Sequence, residues 1–263
     1  MGELCFVQNY TAHLWPHTWS LAIEEHFYLC LAVLFFLLVR RPGPNPFSWF
    51  PAIFVVIATA CLVLRIQNAL RYPEYNYSWD LFPTHLRIDS LFFGALLAYA
   101  SQFQRLEERI AWFPTWARLA AGLALLVPAF VFDRETHRWI SVVGFNLFYL
   151  GSGLLVLGAV KLQGSSSRFL RLLGAFGASS YSIYLWHVPI NVWFATRILD
   201  THANEPHVYW QYLGVCVFGA LLVGYAMAFV IETPFLKLRD RLYPSRSRPR
   251  DPQEKMAPSS AAS

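Results

Sequence analysis

The sequence predicts an all-α, polytopic integral membrane protein, a bundle of about seven transmembrane helices. Three observations support this fold class. Hydrophobic residues make up 56% of the chain and charged residues only 14%, which is far from the balance of a soluble domain. The apolar residues fall into runs of roughly 17–25 residues, the length at which a helix crosses a bilayer. Lysine and arginine concentrate in alternate loops between these runs, as they do in polytopic membrane proteins.

Proline, glycine and charged clusters separate the apolar runs and set the boundaries of the predicted helices. The first helix ends at a basic turn, Arg40-Arg41-Pro42-Gly43-Pro44, and the second begins at Pro51, where proline is tolerated. The predicted helices cover residues 18–39, 51–70, 86–103, 116–132, 139–160, 177–199 and 210–231. They form one membrane domain over residues 1–241, and we expect the Pro/Ser-rich tail over 242–263 to be disordered and cytoplasmic.

The basic residues of the loops predict how the helices are oriented. One side of the membrane collects most of them: Arg40, Arg41, Arg105, Arg109, Arg118, Lys161, Arg168, Arg171 and those of the C-terminal segment. The other side has Arg71, Arg134, Arg138 and Arg197. By the positive-inside rule, the N-terminus faces out and the C-terminus lies in the cytoplasm. The net charge of +5 therefore reflects topology, and we expect no nucleic-acid partner.

Polar side chains in the first helix fall on one face. His17, Ser20, Glu24 and Tyr28 recur at i, i+3, i+7 and i+11, which makes one polar stripe. Glu24 lies roughly 9 Å inside the predicted helix, and a carboxylate at that depth should face the protein interior or a water-filled cavity. For Glu25, which follows it, a second interpretation stays open, because acids near a helix start suit the positive end of the dipole.

The third predicted helix begins with two opposite charges. Arg87 and Asp89 are two residues apart, so they point to different faces and each needs a partner elsewhere. Arg87 is a natural counter-charge for the glutamates of the first helix, since both lie near the outer ends of their helices. Alternatively, its side chain extends to the membrane interface.

A second polar stripe lies in the sixth predicted helix. Ser180, Tyr184, His187 and Asn191 recur at i, i+4, i+7 and i+11 on one face. His187 lies about 16 Å from the helix start, close to mid-bilayer, where a neutral imidazole would act as a base or a hydrogen-bonding partner. A satisfied core histidine is the alternative. Pro189 cannot donate a backbone hydrogen bond, so the sequence predicts a kink there.

Small residues and cysteines indicate packing rather than chemistry. Gly94 and Ala98 have the small-xxx-small spacing that lets helices approach closely. The four cysteines are scattered, which predicts neither a disulfide framework nor a metal cluster: Cys5, Cys30, Cys61 and Cys216. Gly-rich phosphate loops, nucleophile elbows and zinc-ligand spacings are absent from the sequence.

Four segments, in order along the chain, resemble the motifs of one family. TWSLAIEEHFYL (18–29) closely resembles the TWSLAxEExFYL signature of the membrane-bound acyltransferase 3 family. RIDSLFFGALLA (87–98) is similar to its R-x-D-x-L-x-x-G-x-L-x-A helix, and ASSYSIYLWHVPI (178–190) to its S-Y-x-x-Y-L-x-H-x-P segment. IETPFLKL (231–238) is similar to its closing E-x-P element.

The resemblance implies an enzyme that transfers an acyl group from acyl-CoA to a hydroxyl of a glycan, polysaccharide or lipid-linked sugar. We expect that acyl group to be acetyl. We expect catalytic roles for Glu24, Arg87 and His187. Substrate contacts are expected from other residues of the motifs and stripes: Trp19, Ser20, Glu25, Tyr28, Asp89, Ser180, Tyr184 and Asn191. The expected partners are acyl-CoA, the glycan acceptor and the lipid of a bacterial inner membrane, with no bound cofactor or metal. The basic cytoplasmic loops would contact the phosphates of acyl-CoA, although topology alone predicts the same residues.

The chain departs from the family in one respect. The resemblance implies about ten helices, with a catalytic histidine and an R-x-x-R motif on an early helix, and neither precedes His17 here. Arg168 and Arg171 have that spacing but come late in the chain. We therefore expect the C-terminal two-thirds of such a domain, with little activity unless three upstream helices are supplied. A transporter or lipid-binding membrane protein is the alternative, in which buried charges form a translocation path.

Overall fold

The structure is a computed structural model that describes residues 2–11, 15, 17–162, 167–197 and 208–243. The regular elements in these ranges are helices, which confirms the predicted all-α fold class. They divide into two compact units, Met1–Gly164 and Ser165–Ser263. The end of the sixth predicted helix after residue 197 and the predicted tail after residue 243 lie outside the described residues.

The first unit contains the first five predicted helices. Its elements are α1 (Trp19–Val39), α2 (Phe50–Arg71), α3 (Tyr77–Asp80), a 3₁₀ turn (Thr84–Leu86), α4 (Ile88–Phe103), α5 (Leu106–Arg109), α6 (Thr115–Leu126), α7 (Pro128–Val131), a π-helical segment (Ile140–Gly144) and α8 (Phe145–Val160). The long helices begin and end close to the predicted boundaries. The predicted loops contain the short helices α3 and α5.

Two boundaries in this unit differ from the prediction for local reasons. Arg87 has φ −140° and ψ −9°, which are not helical values, so α4 begins at Ile88 rather than at residue 86. The predicted helix over 116–132 is interrupted between Leu126 and Pro128. Pro128 has no N–H and clashes with the carbonyl four residues earlier, so the helical hydrogen bonding is broken there.

The second unit contains the last two predicted helices. Its elements are α9 (Arg168–Ala178), α10 (Ser180–Ile190), a π-helical segment (Asn191–Ala195), α11 (Val208–Gly214), a second π-helical segment (Val215–Gly219), α12 (Ala220–Met227), a third (Ala228–Glu232) and α13 (Thr233–Leu242). The first π-helical segment begins two residues after Pro189, where the sequence predicted a kink, and α10 itself continues through Pro189 to Ile190.

Two boundaries in the second unit also differ from the prediction. The sixth helix was predicted to begin at residue 177, but a break at Ser179 separates α10 from α9. The seventh was predicted to end at residue 231, but the helix continues to Leu242. A wider π-helical turn immediately before Thr233 accommodates the missing N–H of Pro234, so the chain remains helical through the proline.

Helix length and composition support an integral membrane protein. Within the described ranges, four helices are long and apolar enough to cross a membrane: Trp19–Val39, Phe50–Arg71, Ile140–Val160 and Val208–Leu242. Two shorter apolar helices accompany them, Ile88–Phe103 and Thr115–Val131. Large apolar side chains cover their outer surfaces; Phe130, for example, is 87% exposed and Phe218 is 73% exposed. A lipid environment removes the cost that water would impose on such surfaces.

Helix α4 lies in contact with α1, α2 and α8 within the first unit. Phe27, Phe50 and Phe92, one from each of α1, α2 and α4, form part of an apolar core. Helices α6 and α8 cross closely at Gly122 and Gly151. A Cβ added to either glycine would lie 2.8 Å from the carbonyl oxygen of the other.

The predicted close packing at Gly94 is wrong. A Cβ added to Gly94 would meet no neighbouring heavy atom within 4 Å. Gly94 and Ala98 instead line an apolar cavity of about 580 Å³ beside Phe27 and Phe50. Their spacing places them on one face of α4, but the rotation of α4 in the bundle turns that face to the cavity.

Candidate active site

The polar stripe predicted on α1 does not face the protein interior along its whole length. Glu24 is half-buried and Ser20 partly buried, whereas Glu25 is exposed and Tyr28 is 55% exposed. Helix α1 begins at Trp19 and has no acidic residue in its first turn, so the helix dipole does not account for Glu25. Glu24 is therefore the acid of this pair that lies closer to the protein interior.

Arg87 forms no ion pair with either glutamate in the described structure, contrary to the prediction. Its guanidinium lies over the rings of Trp19 and Phe145, 5.0 and 4.6 Å from their centroids. A guanidinium is planar and weakly hydrated, so two aromatic faces stabilise its charge in place of a carboxylate. Trp19 in turn stacks on Phe82, with ring centroids 5.1 Å apart. Aromatic contacts thus hold the start of α4 against the start of α1.

Glu24→Gln and Arg87→Gln should therefore have additive effects on thermal stability. Substitutions at residues that share no contact usually add within about 0.3–0.5 kcal/mol. Unfolding of the two single variants and of the double variant, measured in detergent micelles, tests this expectation. A coupling energy above about 1 kcal/mol would mean that the carboxylate and the guanidinium meet in the folded protein.

Asp89 pairs with Arg65 of α2, a residue that the sequence analysis did not single out. Arg65 Nη2 donates to Asp89 Oδ2 at 2.7 Å, and the two side chains are 1% and 0% exposed. The ring of Phe145 lies 5.7 Å from the same guanidinium. The sequence does carry a signal for this pair. Arg65 is a charge among the apolar residues of α2, ahead of Arg71 at the helix end, and such a charge needs a partner.

A cavity of about 190 Å³ lies beside this ion pair, lined by Arg87 and by residues of α4 and α8. Arg87, Asp89 and Ser90 contribute polar groups from one side, and Tyr149 and Ser152 from the other. The sequence predicted that Arg87 and Asp89 point to different faces, yet both line this cavity. Because the backbone of Arg87 is not helical, the angular spacing of a helix does not apply to it.

A second polar cluster lies where the N-terminal segment meets the start of α4. Asn9 Nδ2 donates to the carbonyl of Phe82 at 3.2 Å and to Thr84 Oγ1 at 2.8 Å. The hydroxyl proton of Thr84 can then be donated to His26 Nδ1, which lies 2.7 Å away. With Nδ1 as the acceptor, a neutral His26 carries its proton on Nε2. His26 belongs to the TWSL motif segment, but the sequence did not predict a site there.

Two residues of the predicted stripe, His187 in α10 and Asn191 directly after it, lie in different hydrogen-bonding environments. His187 Nδ1 contacts the carbonyl oxygen of Tyr184, and the two rings lie 5.4 Å apart. A carbonyl can only accept, so Nδ1 carries the proton of the neutral imidazole and Nε2 carries the lone pair. Asn191 Oδ1 accepts from the hydroxyl of Tyr212 at 3.0 Å and lies 3.6 Å from Cys216 Sγ.

The second unit joins two motifs through a contact that the sequence analysis missed. Ser180, predicted to belong to the polar stripe, is exposed because it is the first residue of α10. Ser182 is buried instead, and its Oγ donates to Glu232 Oε2 at 2.5 Å. Glu232 is the acid of the E-x-P element. Buried polar groups need partners, so polar residues in both motif segments are the sequence signal that could have indicated a contact between them.

The long apolar helices, the buried ion pair and the polar groups on the helices define a membrane-embedded protein with charges inside its membrane domain. Residues 4–229 match the acyltransferase 3 family model, which is described as an acyltransferase domain. This chain belongs to the acyltransferase 3 family. No solved structure matches the chain.

Two curated relatives are similar over most of the chain. O-acetyltransferase OatA of Staphylococcus aureus (strain NCTC 8325 / PS 47) is 27% identical over 231 residues, which cover 84% of this chain and 36% of the relative. Peptidoglycan O-acetyltransferase OatA of Listeria monocytogenes serovar 1/2a is 27% identical over 230 residues, which cover 83% of this chain and 35% of the relative. The chain therefore spans about a third of the length of the curated relatives that it matches.

Proposed function

We propose that this chain acts in a bacterial inner membrane as an O-acetyltransferase, which moves an acetyl group from acyl-CoA to a hydroxyl of a cell-envelope glycan or lipid-linked sugar. The observation that carries the proposal is the family match over residues 4–229, which includes three of the four ordered motifs. The names of both relatives support O-acetyl transfer, and the name of the Listeria relative, peptidoglycan O-acetyltransferase, supports a glycan as the acceptor.

The reaction needs a base and a way to stabilise charge. The hydroxyl oxygen of the glycan attacks the thioester carbonyl, an oxygen–carbon bond forms and the carbon–sulfur bond breaks. The hydroxyl proton passes to a base and finally to the thiolate of CoA, so atoms and charge balance. A positioned base typically contributes about 10²–10⁴ in rate.

His187 is the residue we propose as the base. Its Nδ1 proton is directed at the carbonyl oxygen of Tyr184, so the basic nitrogen of the neutral ring is Nε2. A backbone partner fixes both the tautomer and the orientation of the ring. His187 lies in α10 and is partly buried.

Glu24 and Arg87 have supporting roles in this proposal. A half-buried carboxylate such as Glu24 can orient an acceptor hydroxyl by accepting its hydrogen bond. Arg87 is held by two aromatic rings rather than by a carboxylate, so it can offer its N–H groups to a developing negative charge. The basic residues of the predicted cytoplasmic loops suit the phosphates of acyl-CoA.

Membranes that contain the chain, co-expressed with the upstream helices of a family relative, should incorporate label from radiolabelled acetyl-CoA into an added glycan as an alkali-labile ester. His187→Ala should lower the initial rate about 10²–10⁴-fold, the usual cost of removing a general base. His137→Ala is the matched control, because His137 is an exposed loop residue whose Nδ1 contacts the hydroxyl of its neighbour Thr136. Label that crosses the membrane without forming an ester would indicate a transporter, and an unchanged rate in His187→Ala would remove the base role.

A further inference from the structure

A pocket of about 620 Å³ lies at one end of the first unit. The N-terminal segment, the end of α2, the short helix α3 and the 3₁₀ turn enclose it. Loop charges predict that this end faces the outside of the membrane. The volume falls within the range of about 300–1,000 Å³ that is typical of small-molecule sites. None of the residues that line it was predicted as a site residue.

Aromatic rings form much of the pocket wall. Tyr72 and Trp79 stack with ring centroids 6.2 Å apart and planes 21° apart, and Trp79 is 60% exposed. Tyr10 and His85 stack in the same way, 5.9 Å and 13° apart. Exposed, nearly parallel rings of this kind present flat apolar faces with polar edges. A pyranose ring has the complementary form, with a C–H face and a rim of hydroxyls.

Side-chain amides supply hydrogen-bonding groups for that rim. Asn68 Nδ2 donates to the carbonyl of Trp79 at 3.1 Å and to Asp80 Oδ1 at 2.7 Å, which leaves its Oδ1 to accept from a hydroxyl. Gln67, one residue earlier on α2, is exposed and also lines the pocket. Amides both donate and accept, as a sugar hydroxyl does.

The turn that carries Trp79 is fixed by a buried carboxylate. Asp80 is 4% exposed and accepts hydrogen bonds from Asn68, from the backbone N–H of Asn76 at 2.8 Å and from Arg138 at 2.9 Å. Arg138 pairs with both carboxylate oxygens. If Trp79 served only to anchor the chain at the membrane interface, its turn would not need to be held by these hydrogen bonds. A rigid platform loses little freedom when it binds a ligand.

The charge of the pocket argues against the acyl donor as its occupant. Among the lining residues, all of them described, Arg71 is the one residue of the Lys, Arg, Asp and Glu types. Partial burial lowers the pKa of the His85 imidazole below its usual value, so that ring is neutral at pH 7. Acyl-CoA carries several phosphate charges, and the clustered basic loops follow α1 at its other end. The pocket suits an uncharged ligand with many hydroxyls.

We infer that this pocket is a saccharide-binding subsite, in which the stacked pair Tyr72–Trp79 packs against a pyranose ring and Asn68 and Gln67 bind its hydroxyls. The inference rests on the proposed function, because it makes the pocket the place where the acceptor glycan is held. It adds the class of ring that the acceptor contains and the residues that recognise it.

Binding of chitotetraose, a soluble tetramer of N-acetylglucosamine, to the purified full chain in detergent tests the subsite directly. Trp79→Ala should weaken binding about tenfold, and Trp79→Phe should recover part of the loss because a ring face remains. Gln67→Ala on the exposed face of α2 is a second variant that should weaken binding without affecting the turn. Trp116→Ala is the matched control, since Trp116 is 73% exposed on α6 and lies outside the pocket.

The experiments distinguish failure of the saccharide subsite from failure of the proposed transferase activity. Wild-type chain that does not bind the tetramer, or Trp79→Ala and Gln67→Ala variants that bind it as tightly as the wild type, would overturn the subsite. If binding follows the expected order but no acetyl ester forms on any glycan, the subsite stands and the proposed transferase activity falls. If transfer occurs and Trp79→Ala leaves the KM for the glycan unchanged, the transferase stands and the subsite falls.

Discussion

Asp89→Asn should make the protein about 3–5 kcal/mol less stable than the wild type, because it leaves Arg65 charged and without its partner in the bundle interior. The pair is buried: the side chain of Arg65 is 1% exposed and that of Asp89 is 0% exposed. Water therefore cannot take the place of the lost carboxylate. Arg65→Gln should cost a similar amount for the converse reason. Thermal unfolding in detergent measures both effects, with the loss of monodisperse protein as the signal for unfolding.

The double replacement Arg65→Met with Asp89→Leu separates loss of an ion pair from loss of packing. Replacing both charges by apolar groups of similar volume removes the desolvation cost together with the attraction, so this variant should be far more stable than either single variant. Glu108→Gln is the control for an exposed pair. Its carboxylate lies 3.5 Å from Arg105 and both side chains are mostly exposed, so the change should cost at most about 1 kcal/mol. A cost for Asp89→Asn as small as that of Glu108→Gln would contradict the buried pair.

Gly224→Ala should destabilise the second unit by about 1–3 kcal/mol, the usual cost of forcing an extra carbon into a filled space. A Cβ at position 224 would lie 2.4 Å from the Cα of Ile183 and 2.9 Å from its backbone nitrogen. The obstacle is backbone rather than a flexible side-chain end, so α10 and α12 would have to move apart. The same movement would strain the contact between Ser182 and Glu232, which these helices position.

Gly214→Ala is the matched control, because Gly214 lies on the same continuous helix and has no heavy atom within 4 Å of an added Cβ. Alanine has a higher helix propensity than glycine by about 0.8–1.0 kcal/mol, so this change should leave stability unchanged or raise it. Thermal unfolding of the two variants side by side gives the comparison. If Gly224→Ala were as stable as Gly214→Ala, the close crossing of α10 and α12 would be wrong.

The sequence by itself determined the fold class and the family. Long apolar runs can satisfy their backbone hydrogen bonds in a membrane only as helices, so the runs predicted α1, α2 and the Ile140–Val160 helix closely. Local chemistry predicted a kink at Pro189, because a missing N–H acts on its own turn of helix, and a π-helical segment begins two residues later. The four motifs predicted the family, which the match over residues 4–229 shows.

Only the tertiary structure decided which charged groups meet. The sequence placed Arg87 opposite the glutamates of α1, but aromatic rings hold Arg87, and Arg65 takes Asp89. Spacing along one helix fixes which residues share a face, yet it says nothing about how far that helix is rotated against its neighbours. That rotation is set by packing, where Gly122, Gly151 and Gly224 permit close crossings and Gly94 does not take part in one.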